Sequence, residues 1–196
     1  MSDNEELLLL WKLFISGDSK AFHDLYRETV QFLFRYGLQF TQERELVKDC
    51  IHDVFFKLYK NRNKLGKVSN VKVYFCIVLK NILIDELRKR EHLHYVDDVS
   101  DDFVHSSSKS VEEQFVAKEK RLLDNKRIKA LLDALTPRQR EVLFLRYVED
   151  LEIKDIAEVM KMKYQSVENL LQRALIKARK DYVEIIIFIL GCFFYK

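Results

Sequence analysis

A chain of 196 residues, 48% of them hydrophobic, can bury one large core or two small ones. Four glycines and one proline are too few for the turns of a many-stranded sheet or for a glycine-rich phosphate cradle, so long helices joined by short connections are expected. The net charge of +3 says little alone, but residues 60–91 carry nine Lys/Arg against three Asp/Glu, 126–180 carry thirteen against eight, and 97–113 hold six acids against the single Lys109.

The first residues, Met1 to Glu6, are acidic and lack the basic segment, apolar run and cleavage site of a secretory signal, so a cytoplasmic protein is expected. Cys50, Cys76 and Cys192 are far apart and set in apolar stretches. That pattern suggests neither a disulfide framework nor a metal knuckle. From Asp18 to Phe40, Phe22, Leu25, Tyr26, Val30, Leu33 and Phe34 recur at three- and four-residue intervals, the period of a helix with one buried face. A second helix is predicted over Glu43–Tyr59, burying Leu46, Cys50, Ile51, Val54, Phe55 and Leu58 and turning Lys48, Asp49, His52 and Asp53 outward. A third, Val71–Arg90, is apolar up to Leu87 and ends in Arg88, Lys89 and Arg90, which suits both a helix C-terminus and an anion.

Asp97–Ser110 is rich in Ser and Asp, shows no period and reads as a linker. Helical patterning resumes near Val111, and Thr136-Pro137-Arg138-Gln139 is a sharp helix start. Thr takes the N-cap, Pro the first turn, and Gln completes a capping box. Between Ile153 and Leu171 the sequence has the parts of a helix-turn-helix, with Ala157 as the small residue at the crossing. Ile156, Met160 and Met162 line the seam, and Val167 and Leu170 turn inward from the second helix. Gln165, Ser166, Glu168, Asn169, Gln172 and Arg173 are left outward, types able to bond base edges or phosphates. The tail from Ile185 to Tyr195 is apolar and uncharged but, at ~1.5 Å per residue, reaches about half of a ~30 Å hydrocarbon core. It is expected to finish the C-terminal core or to cover a partner's groove.

Leu135-Thr-Pro-Arg-Gln-Arg-Glu-Val-Leu-Phe-Leu-Arg-Tyr147 followed by 153–180 resembles region four of extracytoplasmic-function sigma factors. Asp49-Cys-Ile-His-Asp-Val-Phe-Phe-Lys-Leu58 and Tyr74 to Arg90 resemble region two of the same family. The resemblance implies an all-α fold of two helical domains: region two over 1–95, an acidic linker over 96–115, region four over 116–182 and an apolar tail over 183–196. It also implies a transcription initiation factor that binds core RNA polymerase, through the largest-subunit coiled coil and the beta-flap, and opens promoter DNA. Asp49, His52 and Asp53 would dock on the coiled coil, His52 standing where the family more often has Gln. The loop Asn61–Asn70, with Leu65 in it, would take a base swung out of the minus-ten element, and Lys80, Asn81, Arg88 and Lys89 would hold the strand. Tyr74, where the family commonly has Trp, is expected either to stack on bases or to pack in the core. The outward residues from Gln165 to Arg173 would read the minus-thirty-five element. The linker would thread the polymerase cleft or serve as a solvated tether. No catalytic residue, cofactor or metal is implied.

The family's usual Gly and Ser at the helix-turn-helix turn are replaced by Lys161 and Lys163, and Glu168 stands where a basic residue is common. Weak reading of the upstream element is expected from this, which an accessory protein tethering the factor to DNA would offset; an anti-sigma factor is the other regulatory partner the resemblance suggests. The competing expectation from the residues alone is a stand-alone helix-turn-helix DNA-binding regulator.

Overall fold

The computed structural model describes residues 3–96 and 134–181, with side chains over 4–90 and 134–178. The expected linker beyond residue 96, the resumption of helix near Val111 and the apolar tail lie outside the described residues. Within them every regular element is helical: α1 (Asp3–Ser16), α2 (Ser19–Gly37), α3 (Arg44–Lys60), a 3-10 turn (Arg62–Lys64), α4 (Val71–Val96), α5 (Pro137–Leu143) running into a π turn (Phe144–Val148), α6 (Ile153–Met160) and α7 (Tyr164–Asp181).

Helix α1 was not among the expected elements, although Leu7, Trp11 and Phe14 stand at helical spacing and are all buried. It ends at Gly17, whose φ of 108° suits glycine and lets the chain reverse at once into α2. Asp18 caps that helix, accepting hydrogen bonds from the Lys20 and Ala21 amides at 2.8 and 3.2 Å. At the far end of α2, Gly37 lets α3 approach closely, since a methyl group there would lie 2.5 Å from Val47 Cγ1. Asn70 starts α4 by accepting from the Lys72 and Val73 amides at 3.0 and 3.4 Å.

The end expected for α4 at Arg90 is corrected: the helix continues to Val96. Residues 91–96 contain no Gly or Pro to stop it, so the basic triplet Arg88-Lys89-Arg90 sits within the helix and not at its C-terminus. The capping box at Thr136 is present, with Gln139 N–H donating to Thr136 Oγ1 at 3.3 Å and Thr136 N–H donating to Gln139 Oε1 at 3.0 Å. After α5 the wider π turn, closed by Glu149 N–H on the Phe144 carbonyl at 3.2 Å, turns Phe144 and Leu145 inward.

In the helix-turn-helix, Ile156, Met160 and Val167 are buried, and Ala157, Met162 and Leu170 pack partly against them. Lys161 takes up the left-handed conformation expected of its position, φ 52° and ψ 47°, where a β-carbon is strained. Lys161→Gly is therefore expected to stabilise the chain by about 1 kcal/mol, read from the urea midpoint at unchanged slope. A lower midpoint would show that the Lys161 side chain contributes more than its backbone costs.

The halves are not isolated bundles, because their buried apolar residues form one continuous cluster. Helix α4 packs against α6. The Tyr36 ring of α2 stacks on Phe144 with centroids 6.1 Å apart.

Candidate polymerase and nucleic-acid interfaces

Helix α3 buries Leu46, Cys50, Ile51, Val54, Phe55 and Leu58 and leaves Asp49, His52 and Asp53 exposed. These three share one outward face. Phe56 shares it, 65% exposed, as a large apolar side chain that the periodicity reading passed over because Phe55 beside it takes the inward position. A contiguous patch of carboxylates and an aromatic ring is chemistry for a protein partner bearing arginines. His52 also lines a groove of about 360 Å³ between α2 and α3, together with Tyr26, Val30, Phe34 and Arg44. Cys50 lies under this face, where burial, helped by Glu86, Asp53 and Asp49, pushes its thiol up to about 11, so it is no nucleophile at neutral pH.

The loop before α4 is tied to α1. Trp11 Nε1–H donates to the Gly66 carbonyl at 3.1 Å and Asn4 Nδ2–H to the Ser69 carbonyl at 3.4 Å, and Leu65 is half-buried between them in sequence. Sequence reasoning missed these two anchors because it assigned no element to residues 3–16. Tyr74 is half-buried and meets the Trp11 ring edge-on at 4.9 Å. Of its two expected roles this contact is the core one, and burial raises its phenol. Along α4, Asn81, Arg88 and Lys89 are exposed. Lys89 pairs with Glu86 at 2.6 Å, which raises the ammonium and lowers the carboxyl; both ends are exposed to solvent, so the pair is weak. Lys80 differs from these three, because its ammonium is held by Glu141 of α5 at 2.7 and 2.9 Å.

On α7, Gln165, Ser166, Asn169, Gln172 and Arg173 are exposed and Glu168 is half-covered, so the six expected contact residues lie on the side away from the buried Val167 and Ala174. The carbonyl of Lys163 accepts from the Ser166 and Val167 amides at 2.9 and 3.1 Å, while a lysine side chain has no acceptor to cap them. Among the described residues no group of three or more His, Cys, Asp or Glu is placed to hold a metal ion, and no helix is long and apolar enough to cross a membrane.

Residues 25–92 match the family model for sigma-70 region 2, and 125–177 match that for sigma-70 region 4. The chain is 24% identical to the RNA polymerase sigma factor SigV of Bacillus subtilis over 145 residues, 74% of this chain and 81% of that one. It is 23% identical to the extracytoplasmic-function sigma factor SigM of the same species over 152 residues, 77% and 88% of the two chains. In fold it is similar to the sigma factor RpoE in its co-crystal structure with the anti-sigma factor NepR from Bartonella quintana, with a TM-score of 0.62, 17% identity and coverage of 84% and 98%. CnrH, solved in complex with the cytosolic domain of CnrY, gives the same TM-score of 0.62 at 18% identity, covering 88% and 94%.

Both regions, in this order and on an all-helical frame, define a promoter-specificity subunit of RNA polymerase. The chain belongs to the sigma-70 family, in its extracytoplasmic-function branch. It binds core RNA polymerase and promoter DNA and directs the initiation of transcription; sigma factors are non-catalytic regulators.

Proposed function

We propose that three faces of the chain divide this task. Asp49, His52 and Asp53, with Phe56 among them, dock on an arginine-bearing coiled coil of the largest polymerase subunit through charge-assisted bonds around an apolar anchor. The loop 61–70, with Leu65, accepts a base swung out of the minus-ten element, and Lys80, Asn81, Arg88 and Lys89 hold the strand, Asn81 reading a base edge and the cations its phosphates. Tyr74 supports this loop from below. Gln165, Ser166, Glu168, Asn169, Gln172 and Arg173 face the minus-thirty-five element, with the acidic linker and apolar tail bounding region four at 96–115 and 183–196. The protein itself catalyses no reaction: opening draws on the base captured from the unstacked strand, worth ~1 to 3 kcal/mol per stacked base, and needs no ATP. It acts in the cytoplasm, and an anti-sigma factor is its expected regulator, since both structural neighbours were solved bound to a second protein and one of those is described as an anti-sigma factor.

The observation that carries this reading is the packing of α3 against α4. It joins the polymerase face and the strand face in one rigid unit, so docking aims the strand-binding residues. Transcripts made on fragmented genomic DNA by core enzyme plus this chain should start downstream of two shared sequence elements at a fixed spacing. Asn81→Ala should lower that output about tenfold or more while co-purification with core is unchanged, a loss of about 1–3 kcal/mol at one base contact. Starts with no common upstream element, or an Asn81→Ala chain as active as its parent, would contradict the reading.

A further inference from the structure

We propose that the packed arrangement of the two halves is a self-masked state, in which Glu141 and Glu149 of the C-terminal half occupy Lys80 and Lys72 of α4 and keep the minus-ten strand off that helix. The proposal rests on the reading of α4 as the strand-holding helix.

Two acids carry the contact, and both are almost wholly buried, Glu141 at 3% exposure and Glu149 at 6%. Glu141 accepts from Lys80 Nζ with both carboxylate oxygens, at 2.7 and 2.9 Å, and from Tyr36 Oη at 2.8 Å. Burial and the nearby Cys76 and Glu141 push the Tyr36 phenol far up, so it remains a donor. Glu149 accepts from Arg35 at 3.0 Å and lies 3.6 Å from Lys72 Nζ. A third bridge joins Asn70 Nδ2–H to Asp155 at 2.9 Å. Lys72, Cys76 and Lys80 stand one turn apart along α4, so these contacts cover a stripe of the helix.

A carboxylate and a phosphate are both acceptor-only anions, and an ammonium that gives its protons to Glu141 has none to give a strand. Asn81 and Arg88 lie beside Lys80 on the wall of a cleft of about 520 Å³, and the opposite wall is Pro137, Arg138 and Lys161 of the C-terminal half. A strand laid along Lys80, Asn81 and Arg88 therefore needs the C-terminal half to leave. Separating one pair alone would strand a buried charge, so the pairs open together and the halves have two states. The apparent affinity for single-stranded DNA is then the intrinsic affinity scaled by the open fraction.

The test uses the full chain without polymerase and a fluorescein-labelled 20-nucleotide single strand of random sequence, read by anisotropy. Glu141→Gln/Glu149→Gln keeps the side-chain volumes and removes both charges. It should raise the radius of gyration measured by X-ray scattering and tighten binding by about tenfold. As a second arm, Arg35→Cys/Val148→Cys in a Cys192→Ser background, joined by a reducible bis-thiol cross-linker, should bind weakly until a reductant releases it. Unchanged binding in an expanded Glu141→Gln/Glu149→Gln chain, or equal binding by cross-linked and reduced protein, overturns the masking. Adding Lys80→Ala to the opened chain separates the two layers. If it costs nothing, the assignment of α4 to the strand is wrong and the proposal falls with it; if it weakens binding while neither opening nor cross-linking matters, only the masking is wrong.

Discussion

Reversing charge at two positions of α3, Asp49→Lys with Asp53→Lys, is expected to weaken association with core RNA polymerase on the order of a hundredfold and to abolish promoter-directed transcription. Both side chains are exposed, so nothing in the fold depends on them. Their worth appears only when a partner desolvates them. Removing one member of a desolvated, hydrogen-bonded charge pair costs about 2–5 kcal/mol, and placing ammonium against guanidinium adds repulsion. The measurement is co-elution with core enzyme in gel filtration, alongside circular dichroism and thermal melting to establish that the helices are unchanged. A double variant that co-elutes as its parent does would remove this face of α3 from the interface. Phe56→Ala, on the same face, supplies a graded version of the experiment without any change in charge.

Trp11→Ala is expected to be the most damaging single substitution for stability, lowering it by about 3–5 kcal/mol. Trp11 is 1% exposed, its ring lies 4.9 Å from Tyr74 and 6.3 Å from both Phe14 and Phe75, and its indole N–H holds the Gly66 carbonyl. Truncation empties the centre of the N-terminal core, and neighbours held by helix packing cannot collapse into the space. At roughly 2–4 °C per kcal/mol for a chain of this size, the melting temperature should fall by about 10 °C. Trp11→Phe should recover much of the stability while leaving the loop 61–70 without its anchor, so a stable chain with impaired promoter opening is the expected outcome. An unchanged melting temperature for Trp11→Ala would mean that α1 does not pack on α4.

Helices α2 and α3 and the start of α4 were legible in the sequence because each has a long amphipathic period and a recognisable boundary: Asp18 at one N-cap, the sparse apolar stretch 61–70 before another. The capping box at Thr136 and the helix-turn-helix were legible for the same reason, down to the left-handed Lys161. Helix α1 escaped because Leu7-Leu8-Leu9-Leu10-Trp11 is apolar on every side, so its period is blurred although its buried residues keep helical spacing. The overrun of α4 to Val96 was hidden by Arg88-Lys89-Arg90, which imitates a helix end. The contacts joining the halves had no local signature. Glu141 and Glu149 sit in apolar runs like ordinary surface acids, and only tertiary structure shows that they are buried against lysines from 60 or more residues away. For the site, the outward faces of α3 and α7 followed from periodicity alone, whereas the roles of their residues came from the family pattern.

The central claim is that these helical modules bring polymerase to a promoter and open it with binding energy alone. The most direct measurement is permanganate footprinting of a linear promoter duplex, identified from the mapped transcripts, with core enzyme and this chain in the absence of nucleotides. Thymines within the minus-ten element should become reactive only when both proteins are present. A duplex that stays unreactive until ATP is added, or one opened equally by core enzyme alone, would contradict the account.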